Sequence, residues 1–261
     1  MAYDYEYLKK AVYDLTKIDL NAYKERQMKR RIDTLISKHA IVGYDNFVKA
    51  LKTDKGLFDE FVNYLPINVS EYYRNPDQWK WMDQYVIPEL IAKFGNNIKV
   101  WSAACSTGDE PYSLVMALSR HIPLKQIKVY ATDIDKNVLE KAKTGLYSEK
   151  SIVNIPEDLK KKYFTKMGPS YQISEEIKGR VEFKQHNLLK DLYPTNYNLV
   201  VCRNVLIYFT EEAKDQVYRK FYQTLVPGGI LFIGSTEQII NHKEIGYERK
   251  NSFFYEKPKN H

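Results

Sequence analysis

From residue 98 onward, apolar runs of strand length alternate with helical stretches, and this alternation restricts the fold more than any other feature of the chain. Ile98-Lys99-Val100-Trp101-Ser102-Ala103-Ala104 reads as a strand, followed by a polar turn with Gly108 and a helix opened by Pro111 that runs through Leu114, Val115, Ala117 and Leu118. A second strand, Ile127 to Ala131, ends at Thr132-Asp133-Ile134-Asp135 and leads to a helix through Val138, Leu139 and Ala142. Leu199-Val200-Val201-Cys202, a helix from Glu211 to Leu225, the turn Pro227-Gly228-Gly229, a strand from Ile230 to Ile233 and a closing strand at Phe253-Phe254-Tyr255 complete the series. Strands separated by helices imply a mostly parallel sheet covered on both faces. Residues at about 146–182 break the rhythm: Tyr163-Phe164 and Tyr171-Gln172-Ile173 flank the turn Gly168-Pro169-Ser170, as in a small antiparallel insert.

The first 65 or so residues follow a different period, with apolar positions recurring every three or four and no sustained alternation. On one helix Met28, Ile32, Leu35 and Ile36 share a face while Arg26, Arg30, Asp33 and Ser37 fall opposite. Asp45-Asn46 and Thr53-Asp54 offer starts for two further helices, and Asn75-Pro76 offers a cap followed by proline at the first helical position. The expected fold class is α/β. An all-helical domain over residues 1–70 precedes a doubly wound, Rossmann-like domain over residues 71–261 that carries the small antiparallel β insert.

Charge and composition exclude several functions. The chain has 40 Lys and Arg against 33 Asp and Glu, for a net charge of +7. The excess is uneven: Lys24 to Lys38 holds six basic residues against Glu25 and Asp33, and Lys141 to Lys190 holds eleven against six acids. Such surfaces suit nucleic acid, anionic lipid or an acidic protein, and charge alone does not choose. No stretch approaches the ~18 consecutive apolar residues of a membrane helix. The opening Met1-Ala2-Tyr3-Asp4-Tyr5-Glu6 lacks the basic and apolar run of a signal peptide. Cys105 and Cys202 sit 97 positions apart in apolar runs, as expected of buried reduced thiols, and the expected location is cytoplasmic. The five histidines form no metal-binding pair, so no metal is expected. Neither a P-loop nor a GxSxG nucleophile motif is present.

The first strand–helix turn narrows the ligand. Ala104-Cys105-Ser106-Thr107-Gly108-Asp109-Glu110-Pro111 has one glycine and two acids, and so disfavours a pyrophosphate at the helix N-terminus. A ligand with an ammonium group, a cationic sulfur and two ribose hydroxyls suits it better. Asp133, 25 residues beyond Gly108 at the end of the second strand, stands where an acid accepts hydrogen bonds from a ribose diol. Together these point to an adenosyl ligand without phosphates.

Several of these segments resemble one family. Ile67-Asn68-Val69-Ser70-Glu71-Tyr72-Tyr73-Arg74-Asn75 and Trp101 to Ser113 are similar to CheR, the chemotaxis receptor glutamate methyltransferases. So are Ala131-Thr132-Asp133-Ile134-Asp135, Asn187-Leu188-Leu189 and Cys202-Arg203-Asn204-Val205-Leu206-Ile207-Tyr208-Phe209, in the family's order along most of the chain. The resemblance implies an enzyme that uses S-adenosylmethionine, releases S-adenosylhomocysteine, and esterifies glutamate carboxylates on chemoreceptor signalling helices. It also implies cofactor contacts. Asn68, Ser70 and Arg74 match positions at the methionyl end, Glu110 an acid in the first turn, and Asp133 the ribose ligand. Asn187-Leu188 match the adenine-side wall and Arg203-Asn204 the segment beneath the methionyl group. Tyr208 matches a tyrosine near the transferred methyl, so Arg74 and Tyr208 are the expected catalytic pair. Arg26 and Arg30 are the expected receptor-docking residues.

Ser70 and Asp109 stand where relatives often carry Thr and Glu. The turn at Lys166 to Ser170 is shorter than in relatives whose insert clasps a receptor's C-terminal tether, which leaves tether binding open. The expected partners are receptor helices, with no nucleic acid, no membrane insertion and a monomeric enzyme. Two rival readings are a nucleic-acid methyltransferase, which the missing [DNS]PP[YFW] motif disfavours, and a non-catalytic adenosyl-binding protein.

Overall fold

The computed structural model describes residues 4–65 and 70–259. The chain forms two compact units, one built from the N-terminal helices together with Leu206–Gln216 and the other from the rest. Expectations that fall on Pro66, Ile67, Asn68 and Val69 lie outside the described residues.

In the helical unit, Asp4 caps α1 (Tyr5–Thr16) by accepting the Tyr7 N–H at 3.0 Å. The next helix, α2 (Glu25–Lys38), buries the expected stripe of Met28, Ile32, Leu35 and Ile36 and leaves Arg26, Lys29 and Arg30 exposed. Asp33, expected on the polar face, is half-buried because its carboxylate accepts the Tyr44 hydroxyl at 2.8 Å. The start of α3 (Tyr44–Thr53) is Gly43, so Asp45-Asn46 does not supply the cap. Asp54 does cap α4 (Lys55–Tyr64), accepting the Leu57 N–H at 3.0 Å. Phe47 and Phe61, both fully buried, meet edge to face at 5.4 Å in the middle of this unit. The returning segment joins through its backbone: Lys24 N–H donates to the Tyr208 carbonyl and Thr210 N–H to the Ala22 carbonyl, each at 2.9 Å.

The second unit opens with α5 (Pro76–Trp81), a π-helical turn (Met82–Val86) and α6 (Ile87–Phe94). Asn75 is not the side-chain cap that Asn75-Pro76 suggests; it sits at φ +61° and makes no capping bond to the helix. Then come β1 (Lys99–Ala103), α7 (Asp109–Leu118), β2 (Lys128–Asp133) and α8 (Lys136–Thr144). The insert contains β3 (Leu146–Ser148), α9 (Glu157–Tyr163), β4 (Phe164–Met167), β5 (Ser170–Ile173) and α10 (Glu175–Lys178). After it follow β6 (Val181–Gln185), β7 (Tyr197–Cys202), α11 (Glu211–Thr224), β8 (Leu225–Ile233), α12 (His242–Ile245), β9 (Glu248–Arg249) and β10 (Phe254–Glu256).

The main sheet runs β6-β2-β1-β7-β8-β10-β9. The first five strands pair in parallel and β10 and β9 antiparallel, and the insert is a separate antiparallel sheet ordered β3-β5-β4. A doubly wound α/β sheet with a helical N-terminal region and an antiparallel insert is therefore the observed class. Two details differ from the sequence reading. β6 was not anticipated, because Val181 to Gln185 alternates apolar and charged residues at a sheet edge. Pro227-Gly228-Gly229 is not a separate turn: β8 runs through it, with Leu225 pairing Tyr197 and Ile230 pairing Leu199 around a bulge.

Burial explains why β1 is central. Val100, Trp101, Ser102 and Ala103 are all buried, with β2 on one side and β7 on the other. Nine of the ten residues of α7 are buried as well, so this helix is apolar nearly all round, as a covered helix must be. The chain leaves β1 toward β2 and β6 on one side and later builds β7 and β8 on the other. The crevice beyond the C-terminal ends of β1 and β7 is thus the topological switch point, where open α/β sheets bind ligands. Phe47→Ala should cost the helical unit about 3–5 kcal/mol through the cavity it leaves. Urea denaturation followed by far-UV circular dichroism measures this, and a loss under about 1 kcal/mol would contradict the packing described.

Candidate functional site

The turn between β1 and α7 begins where the buried strand can extend no further. Cys105 N–H donates to the Thr132 carbonyl at 2.8 Å, which continues the β1–β2 pairing by one step. The backbone then takes left-handed values at Ala104 (φ +63°), Ser106 (+49°) and Gly108 (+90°). The two non-glycine residues each cost roughly 1–3 kcal/mol in that region, so the turn needs restraints. Asp133 supplies one: its Oδ2 accepts the Ser106 N–H at 2.8 Å while its Oδ1 accepts the Asp135 N–H at 3.0 Å. Tyr147, from the insert, donates to the Thr107 carbonyl at 2.7 Å. Glycine is required at 108, since a Cβ there would lie 2.9 Å from the Cβ of Ala142.

Of the two acids of this turn, Asp109 is buried and Glu110 partly buried. Asp109 accepts the Thr107 hydroxyl at 2.6 Å and hydrogen-bonds Ser70, and burial raises its pKa against those bonds. Glu110 Oε1 accepts the Ser102 hydroxyl at 2.8 Å, while its Oε2 lies 3.7 Å from Arg203 Nη1, too far for a hydrogen bond. Burial raises the Glu110 pKa and lowers that of Arg203, each opposed by the charge of the other. This loose pairing leaves Glu110 with capacity for another cation. Burial also raises the pKa of Asp133, although the two backbone N–H groups it accepts favour its anion.

Arg203 and Asn204 follow β7. Arg203 Nη2 donates to the Arg74 carbonyl at 2.6 Å, to Gln78 Oε1 at 2.8 Å and to Asn75 Oδ1 at 3.3 Å, and its guanidinium lies over the ring of Phe232. This accounts for the αL backbone of Asn75, whose side chain is turned to Arg203. Asn187 and Leu188 lie just past β6, after His186, whose N–H donates to the Asp133 carbonyl at 2.9 Å. Asn187 Oδ1 accepts the Leu189 N–H at 2.9 Å, and Leu188 is buried.

The second unit therefore holds Ser70, Arg74, Glu110, Asp133, Asn187, Leu188, Arg203 and Asn204. Direct contacts link Arg203 to Glu110 and to the Arg74 backbone. Asn68 lies outside the described residues. Tyr208, in a 3-10 turn (Leu206–Tyr208), belongs with the helical unit, as do Arg26 and Arg30.

Sequence reading missed Ser102, Gln78 and Glu237. Ser102 was visible as a lone hydroxyl inside an apolar strand. Glu237 accepts three backbone N–H groups at the ends of β7 and β8, and four residues after a strand it carries no sequence signal for that role.

The polar atoms left over indicate what ligand the site suits. Ser106 Oγ, Asp109 Oδ1, Asn204 Oδ1 and Arg203 Nε are buried with no hydrogen-bond partner among the described residues. Two of these four are carboxylate and amide acceptors, and they lie in the same unit as the acids Glu110 and Asp133. Such a site fits a ligand rich in donors and positive charge, and not a phosphate.

A family model described as CheR methyltransferase, SAM binding domain, matches residues 68–252, and one described as CheR methyltransferase, all-alpha domain, matches residues 3–66. A chemotaxis protein methyltransferase of Listeria innocua is 41% identical over 252 residues, covering 97% of this chain and 96% of its own. Chemotaxis protein methyltransferase 1 of Pseudomonas aeruginosa is 34% identical, covering 91% of each chain. A chemotaxis protein methyltransferase of Borreliella burgdorferi is 30% identical, covering 91% of this chain and 89% of its own.

Because Asp133 restrains the turn at the switch point, its replacement should affect ligand and fold together. Asp133→Asn should weaken binding of S-adenosylhomocysteine roughly ten- to 150-fold, the equivalent of ~1.5–3 kcal/mol for a charge-assisted hydrogen bond. Its Tm should fall by several degrees, because the Ser106 restraint weakens too. Calorimetric titration and a thermal melt test this, and wild-type affinity in the folded variant would remove Asp133 from the site.

Proposed function

The chain belongs to the CheR methyltransferase family, and from that membership we infer that it methylates glutamate side chains on the cytoplasmic helices of chemoreceptors. It is an S-adenosylmethionine-dependent methyltransferase of the chemotaxis system. The observation that supports the cofactor is the acidic turn at the switch point, where Glu110 and Asp133 stand in place of a phosphate cradle, and the glutamate acceptor is inferred from the family. The enzyme works in the cytoplasm as a monomer, on protein and not on nucleic acid. No helix among the described residues is long and apolar enough to cross a membrane.

S-adenosylmethionine supplies a methyl group on a sulfonium cation, open to in-line attack. The residues of the site fit it. Asp133 accepts from the ribose diol, as its second lone pairs allow beyond the Ser106 and Asp135 contacts. Glu110 holds the cationic end, Asn187 and Leu188 wall the adenine, and Ser70, Arg203 and Asn204 bound the methionyl part. Arg74 orients the incoming glutamate.

The acceptor needs no base. A free glutamate, with pKa ~4.3, is ionised roughly 500-fold over its acid form at pH 7. Its carboxylate oxygen bonds to the methyl carbon as the sulfur–carbon bond breaks, and the electron pair of that bond stays on sulfur. An anion and a cation become a neutral ester and a thioether. Holding the two in line is then the main contribution available to the protein, worth up to ~7–11 kcal/mol in favourable cases.

For docking, α2 presents Arg26, Lys29 and Arg30 as one exposed basic face, suited to an acidic receptor helix. Charge reversal at both positions (R26E with R30E) should lower kcat/KM for receptor and leave cofactor affinity alone. The effect should shrink as salt shortens the Debye length below ~8 Å. Receptor methylation equal to wild type at low salt would place docking elsewhere.

The product and the pH profile test the chemistry. Label transferred to receptor should be released as methanol by alkali, as a methyl ester is; alkali-stable label would refute carboxyl methylation. Burial raises the pKa of Glu110 and of Asp133, so each loses its charge at a higher pH than an exposed carboxyl would. As pH falls through those raised values, kcat/KM should fall. Above them it should stay level through neutrality, since no base must be deprotonated. A rise in rate with pH above 7 would contradict the base-free mechanism.

A further inference from the structure

Glu237 lies in the loop after β8 and is 7% exposed. Its Oε2 accepts the Gly234 N–H at 2.7 Å and the Asn204 N–H at 2.9 Å, and its Oε1 accepts the Val205 N–H at 3.1 Å. One carboxylate therefore joins the C-terminal ends of two adjacent parallel strands, β7 and β8. The Asn204 backbone that it holds is left-handed, at φ +60°. A non-glycine residue in that conformation persists when its surroundings restrain it. Gly234 permits the approach: a Cβ there would lie 2.7 Å from both the Asn204 nitrogen and Glu237 Oε2.

The restraint has a direction. Asn204 follows Arg203 directly, and Arg203 in turn bonds the Arg74 backbone and faces Glu110. The charge of Glu237 is also felt at both Arg203 and Glu110. Asp133 and Asn187, assigned to the ribose and adenine, are held by their own local bonds.

We propose that Glu237 is a positioning residue for methyl transfer, which holds the Arg203–Val205 segment in register beneath the reacting centre through three backbone hydrogen bonds. This rests on the glutamate-methylation reading above. Its consequence is a separation of effects. Loss of the clamp disturbs the methionyl side and leaves the adenosine side anchored, so turnover falls by much more than cofactor affinity does. Displacement of a reacting group by about 1 Å can cost on the order of 100-fold.

The full-length enzyme, Glu237→Gln and Glu237→Asp are compared with receptor cytoplasmic fragment and methyl-labelled cofactor, at a temperature well below each melting point. Gln keeps one acceptor oxygen, loses the charge and turns an NH2 toward backbone donors. Asp keeps the charge and both oxygens on a shorter stem. The expected result is a kcat lowered roughly ten- to 100-fold in Glu237→Gln, with KM and calorimetric Kd for cofactor within a few-fold of wild type. Glu237→Asp should recover part of the lost kcat. A lowered Tm with unchanged kcat in Glu237→Gln would make the carboxylate structural and overturn the proposal, as would failure of both variants to fold. A fall in cofactor affinity that matches the fall in kcat/KM would overturn it too, since the clamp would then serve binding. If the wild-type enzyme places no alkali-labile label on the receptor, the underlying reading fails instead, and this inference falls with it.

Discussion

Both oxygens of the Asp133 carboxylate are occupied by backbone N–H groups, and the ligand-facing turn depends on that contact. The turn from β1 into α7 places Ala104 and Ser106 in left-handed conformations that neither residue prefers. A buried carboxylate one strand away makes this tolerable, because Ser106 N–H finds a charged acceptor there instead of water. β2 must sit beside β1 for that bond to form, and the parallel register from Lys99–Lys128 to Ala103–Thr132 brings the two strand ends level. The sheet, the turn and the acid are therefore one arrangement, and the crevice at the switch point takes its shape from it.

The same edge of the sheet collects buried charge that is incompletely paired within the protein. Glu110 and Arg203 lose more by leaving water than they regain at 3.7 Å, as their opposed pKa shifts indicate. Arg203 also donates to neutral oxygens of Arg74, Asn75 and Gln78. Evenly satisfied networks rigidify a core, whereas partly satisfied ones cost stability. An under-paired carboxylate is the environment in which a cationic ligand gains most. The stabilisation forgone in the free protein is available when the ligand binds.

Much of the second unit was legible because two different periods met near residue 98. Strand runs such as Ile98 to Ala104 and Leu199 to Cys202 declare themselves by continuous apolar character, since strands covered on both faces need no alternation. The amphipathic stripe of α2 was equally plain, and it put Arg26 and Arg30 on the exposed side. β6 was not legible, since an edge strand with one solvated face looks like loop sequence. The true cap of α3 was hidden because Gly43 starts it through backbone freedom, while Asp45 has the chemistry of a cap but sits two residues too far along.

The sequence by itself determined the residue types at the strand ends, the order in which they occur, and the absence of a phosphate loop. Those facts follow from local pattern, because each strand end is a few residues long and its acid or amide lies within it. Only the tertiary structure decided which of those groups face one another. Glu237 reaches Asn204 across 33 positions, and Arg203 reaches Arg74 across 129. It also decided that residues 206–216 join the N-terminal helices and not the sheet that precedes them. Contacts of that range carry no periodic signal; they exist because parallel strands bring distant segments to a common edge, where buried polar groups must find partners.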